Sequence, residues 1–127
     1  MPNTNFISLA QAKQLTKTFR GKKESMLEPQ YKGKGVLPVC ETFGREAFDT
    51  VLSKPGCVGL RIYFAMDELN IVKLVIVGVN EKNEDMITTT STESDTMMRS
   101  TTEDGTEIIE DGLRCPDVCP PPSPLNS

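Results

Sequence analysis

Two apolar runs on either side of a four-residue turn constrain this chain more than any other feature of its sequence. In residues 57–66, Val58, Leu60, Ile62, Phe64 and Met66 alternate with Gly59, Arg61, Tyr63 and Ala65, the period of a strand whose side chains point to opposite faces in turn. Asp67-Glu68-Leu69-Asn70 supplies turn chemistry. In residues 71–79 only Lys73 is polar, which predicts a strand that is central or covered on both faces. A lone hairpin is marginal in water and leaves two edges of unpaired backbone, so further strands are required. Candidates are residues 35–39, weakened by Pro38, residues 106–109, or a strand from a second copy of the protein.

Helical signals lie upstream. Ser8 followed three residues later by Gln11 is a capping box, and Leu9, Ala12, Leu15 and Phe19 recur at helical spacing up to a stop at Gly21. A helix over 9–20 is expected. A second is expected over 43–54, with Thr42 as cap, Phe43, Ala47, Phe48, Val51 and Leu52 on one face, and Pro55-Gly56 ending it. Residues 21–38 read as a connector with little structure of its own. The fold class that follows is α+β: two helices packed on a small, mainly antiparallel sheet built around the 57–66/71–79 hairpin.

A chain of 127 residues fits one domain. Its compact part is expected at about 6–87 plus 106–114. Residues 88–107 hold eleven Ser/Thr and five acids, too little apolar surface to offset ordering entropy, so 88–105 is expected to be a mobile Thr/Ser-rich acidic loop. Residues 115–127 include five prolines and are expected to form an extended Pro/Cys-rich tail of polyproline II character. No stretch approaches the ~20 apolar residues of a bilayer span, and the start lacks a signal-peptide pattern. The expectation is a cytoplasmic chain without a membrane partner.

Charge is segregated. Residues 1–34 carry seven Lys/Arg against two Glu, and residues 81–117 carry eleven acids against three bases, two solvated regions of opposite sign that attract within or between molecules. Lys13, Lys17, Arg20, Lys22 and Lys23 sit near the end of the first helix, where cations suit its dipole. Aromatic side chains are not interleaved with them as single-strand binders require, and no nucleic-acid partner is expected.

Histidine is absent, which removes Ser-His-Asp and Cys-His arrangements and the commonest general base near neutral pH. No phosphate-binding or nucleophile-elbow motif is present, and an enzyme is not expected. The four cysteines are the chemically suggestive set. Cys115 and Cys119 have a spacing that some zinc ligand pairs use, and Cys40 and Cys57 would complete four thiolates. Cys40 and Cys57, however, flank a helix about 18 Å long at ~1.5 Å per residue, and Cys57 opens a strand as an ordinary buried thiol would. Pro116 and Pro120 stiffen the segment around the other pair and keep both sulfurs accessible. Asp67 and Glu68 are accounted for by the turn, and Glu84-Asp85 and Glu110-Asp111 by solvation. Arg61 and Tyr63 share a face of the first strand and mark a binding surface if exposed, or an intramolecular ion pair and cross-strand packing if not.

The string Pro55-Gly56-Cys57-Val58-Gly59-Leu60-Arg61-Ile62-Tyr63, with Leu74-Val75-Ile76-Val77-Gly78-Val79-Asn80 and the Cys115-Pro116 and Cys119-Pro120 repeats of the tail, resembles a family of small uncharacterised bacterial proteins. The resemblance covers residues 8–87 and 107–127 and implies no activity.

Two functional expectations follow. The first is a non-enzymatic protein-binding or assembly module, pairing with a protein partner or with itself as a homodimer, without cofactor. The second is a thiol redox or metal-responsive protein that uses Cys115 and Cys119, with Cys40 as a further candidate and zinc as the metal.

Overall fold

The structure, a computed structural model, describes residues 5–87 and 107–126. It is α+β: helices α1 (Leu9–Lys22) and α2 (Arg45–Leu52), and strands β1 (Cys40–Thr42), β2 (Gly59–Met66), β3 (Val72–Val79) and β4 (Leu113–Cys115). The strands form two separate two-stranded sheets, β1 with β4 and β2 with β3, where one sheet was expected. The expected loop at 88–105 falls outside the described residues. Among the described residues, no helix is long and apolar enough to cross a membrane.

The described residues gather into two compact units, each drawn from separate stretches of chain. The first takes Phe43–Phe64, which includes α2 and most of β2, and the described part of Leu74–Asp111. Its core is Val51 of α2, Ile76 of β3 and Ile109, with Phe43, Ala47, Phe48, Cys57 and Leu60 packed around them. Side chains of this size each contribute about 1.5–3 kcal/mol on full burial. Phe43 and Phe48 stack with ring centroids 6.1 Å apart.

Gly78 is required here by close approach. A Cβ on it would meet the Cys57 sulfur at 2.9 Å and Val51 Cγ1 at 3.0 Å, so α2 lies against β3 only because this position has no side chain. α2 is shorter than the expected 43–54, and its cap is Gly44 rather than Thr42, without a side-chain hydrogen bond.

The predicted covering of the second strand is realised over Ile76, Val77, Gly78 and Val79, all buried. Its outer edge finds several partners. Ile76 exchanges both backbone hydrogen bonds with Ile109, at 2.9 and 2.8 Å, Val72 N–H donates to Val36 O at 2.8 Å, and Met86 N–H donates to Gly78 O at 2.9 Å. Both internal candidates for a third strand thus reach β3, but as single contacts rather than as strands. Asp67 closes the hairpin turn by accepting from the N–H groups of Leu69 and Ile71 at 2.9 and 3.0 Å, and Asn70 takes φ 66°.

The second unit holds the described residues up to Thr42, the hairpin tip Ala65–Lys73, and residues 112–126. α1 has the expected capping box, with Gln11 N–H donating to Ser8 Oγ at 3.0 Å and Ser8 N–H to Gln11 Oε1 at 2.9 Å. It runs through Gly21 to Lys22 and buries no residue, so its apolar stripe of Leu9, Leu15 and Phe19 is exposed. The connector is more ordered than its composition implies. Glu24 accepts from Gly33 N–H at 2.8 Å, a 3-10 turn occupies Pro29–Tyr31, and Val36 is buried.

Candidate functional site

β1 and β4 were not expected as strands, and they bring Cys40 and Cys115 into one ribbon, to which a disulfide joins Cys119. Their antiparallel register pairs Cys40 with Cys115, Glu41 with Arg114, and Thr42 with Leu113. The central pair carries opposite charges, which favours this alignment. Glu41 has a nearly buried side chain, 4 % exposed, and its Oε2 accepts from Gly112 N–H at 3.0 Å and from Arg114 Nη1 at 3.4 Å. Directly opposed residues of an antiparallel pair project to one face, with neighbours alternating between faces. Cys40 and Cys115 therefore share a face, and Glu41 and Arg114 take the other.

Cys115 is the last residue of β4, and Val39 N–H donates to its carbonyl at 2.8 Å. The chain then turns, with Val118 N–H donating to Arg114 O at 2.7 Å, and a disulfide joins Cys115 to Cys119 with their Cα atoms 4.4 Å apart. Pro116 packs over Gly35, whose φ of +69° suits glycine and where a Cβ would stand 3.1 Å from the proline ring. Beyond Cys119 the prolines fold back on the bridge. Val39, Cys115, Cys119, Pro120, Pro122 and Asn126 line a cleft of about 250 Å³. Asn126 holds that return by donating to Pro121 O at 3.2 Å and accepting from Ser123 N–H at 2.8 Å.

Cys119 is exposed, Cys115 half-buried, and Cys40 a half-buried free thiol. Cys57 is a half-buried free thiol in the first unit, donating to Gly59 O at 3.3 Å. Sulfurs bonded to each other are not thiolate ligands, so a zinc reading of Cys115 and Cys119 applies to their reduced state. Among the described residues no group of three or more His, Cys, Asp or Glu side chains is placed to hold a metal ion.

Arg61 and Tyr63, the other candidate residues, both reach Asp85. Arg61 Nη1 stands 2.5 Å from Asp85 Oδ1, Arg61 Nη2 donates to Asn83 O at 3.2 Å, and the Tyr63 hydroxyl donates to Asp85 Oδ2. The Tyr63 and Arg61 hydrogen bonds hold the Asp85 carboxyl below the usual carboxylate range. The same carboxylate raises the Tyr63 hydroxyl above its ordinary value. This cluster clamps the turn that leaves β3, which Asn83 makes with φ 65°, onto β2. A carboxyl whose folded value is depressed contributes stability above its unfolded value and loses that contribution as pH falls through the folded one. Urea titrations between pH 7 and pH 3 are therefore expected to show a shallower acid loss for Asp85→Asn than for the unaltered protein. Parallel curves would remove Asp85 from the acid response.

No family model, curated protein or solved structure matches this chain significantly.

Proposed function

We propose that this protein is a thiol–disulfide protein whose working centre is the Cys115–Cys119 bridge, set at the open end of the β1–β4 ribbon. The observation that carries the reading is the bridge itself, formed between residues four apart in sequence with Cys119 exposed. A loop this short gives a disulfide little stabilising power, about 2 kcal/mol against nearly 5 for a loop of ~100 residues, so a staple is a poor account of it. The reading places the chain in the cytoplasm, where glutathione keeps structural bridges rare and those that form are transient and reactive. Its chemistry is exchange with other thiols and disulfides, and its partners are proteins rather than small substrates. The test is equilibration in glutathione buffers, followed by acid quenching and alkylation. Half-reduction within the range of about −320 to −220 mV spanned by cytosolic glutathione is the expected result. A bridge that stays closed throughout would be structural and would end the proposal.

A second reading, assembly of two copies, is favoured by the outer side of β2. No named strand other than β3 pairs with it among the described residues, and Ile62, Phe64 and Met66 are exposed, Phe64 by 81 %. An open edge beside apolar side chains is the usual template for strand addition. Sedimentation over a wide concentration range distinguishes a dimer lost in Phe64→Lys from a chain that is monomeric throughout.

A further inference from the structure

We propose that Cys40 is the third member of the centre: its thiol exchanges with the Cys115–Cys119 disulfide, so that the bridge moves to Cys40–Cys115 and Cys119 is set free. The inference rests on the reading of Cys115–Cys119 as a reactive pair and adds where the bridge goes when it opens.

The register supplies the geometry. Cys40 and Cys115 stand directly opposite each other, and opposed residues of an antiparallel pair have Cα separations of about 4.5 or 5.5 Å. Both values lie within the roughly 4.4–6.8 Å that disulfides accept. The side chains share a face, with Cβ atoms about 4.5–5.5 Å apart, slightly wider than the roughly 3.5–4.5 Å of a relaxed bridge. A small closing of the ribbon suffices. Cys115 thus has two cysteine neighbours, one directly across the ladder and one around the turn, and Cys115 is the sulfur they share.

The chemistry balances without an outside oxidant. The Cys40 thiol loses its proton, and the thiolate attacks Cys115 Sγ in line with the Cys115–Cys119 bond. The Cys40–Cys115 bond forms as that bond breaks, and the electron pair leaves on Cys119 Sγ, which takes up a proton. One disulfide and one thiol are present before and after, so the step is an isomerisation. Its directionality is structural. The thiol consumed is half-buried within the ribbon, and the thiol released is exposed. Release also unties the covalent link between β4 and the proline-rich return, leaving Asn126 and its neighbours to hold that segment. In chemical terms, the exchange presents a partner protein with an accessible nucleophilic thiol while the ribbon becomes covalently closed.

The test uses the full chain and peptide mapping after acid quenching and alkylation. Cys119→Ser treated with oxidised glutathione is expected to lose two thiols per chain and to yield a Cys40–Cys115 cross-link in the monomer. Cys57, as the internal control, remains alkylatable on unfolding. In the unaltered oxidised protein, prolonged alkylation is expected to trap Cys119 in its free form together with the Cys40–Cys115 link, and this trapping should fall at least tenfold in Cys40→Ser. Cross-links only between chains in Cys119→Ser, or trapping unchanged in Cys40→Ser, overturns the exchange while leaving the reactive pair standing. Absence of any disulfide at Cys115 in the unaltered protein under the same oxidation overturns both.

Discussion

Ile76→Ala is expected to lower the unfolding free energy by about 2–5 kcal/mol, the cost of truncating a fully buried aliphatic side chain and leaving a cavity behind. Ile76 is 2 % exposed and joins three elements at once, since Val51 of α2 packs on it and Ile109 exchanges both backbone hydrogen bonds with it. Among the described residues, removing its side chain takes out one of the three buried members of the cluster it forms with Val51 and Ile109. The comparison that gives the prediction its edge is Phe64→Ala on the neighbouring strand, where an exposed ring predicts a change within about 0.5 kcal/mol. Denaturant unfolding of both variants decides the matter. Equal effects would mean that the β2 face is covered in solution and that the core extends further than Val51, Ile76 and Ile109.

Arg114→Met should cost about 2–4 kcal/mol by the same measurement. The reason is asymmetric desolvation: the Glu41 side chain is 4 % exposed and the Arg114 side chain 20 %, so loss of the guanidinium strands a carboxylate that water barely reaches. Breaking a buried pair from one side costs about 3–5 kcal/mol. The range is reduced here because Gly112 N–H still donates to Glu41 Oε2. Glu41→Gln, which keeps an acceptor for Gly112 and leaves the more exposed arginine, should cost less. Because Glu41 and Arg114 hold the register that opposes Cys40 to Cys115, Arg114→Met is also expected to reduce the Cys40–Cys115 cross-link formed in the Cys119→Ser background. A variant with unchanged stability would show that the β1–β4 pairing does not depend on this pair.

The features legible in the sequence are those carried by local periodicity. The hairpin announced itself through alternation around Asp67-Glu68-Leu69-Asn70, the first helix through Ser8 and Gln11, and the α+β class through both. What could not be read was pairing between distant segments of three residues, because Cys40–Thr42 and Leu113–Cys115 are too short to show a period. One signal was available. Cys40-Glu41-Thr42 set antiparallel to Leu113-Arg114-Cys115 aligns opposite charges at the centre and two thiols at one end. The helix-length argument against gathering all four cysteines says nothing about Cys40 with Cys115, which the strand register pairs, while Cys57 packs against Gly78 within the first unit. Arg61 and Tyr63 were placed on one face by alternation, but their common partner Asp85 lies beyond the second strand, and no pattern pointed to it.

Both units are finished by residues that come late in the chain: Ile109 completes the core that begins at Phe43, and β4 completes the ribbon that begins at Cys40. During synthesis a nascent chain that has reached Val79 owns its hairpin but neither of these closures. Val51 and Ile76 must therefore wait, incompletely covered, until Ile109 has been made. Such a polypeptide gains little from folding as it emerges and carries exposed apolar surface in the interval. A translation stop before Ile109 would yield a chain with no completed core rather than one intact half.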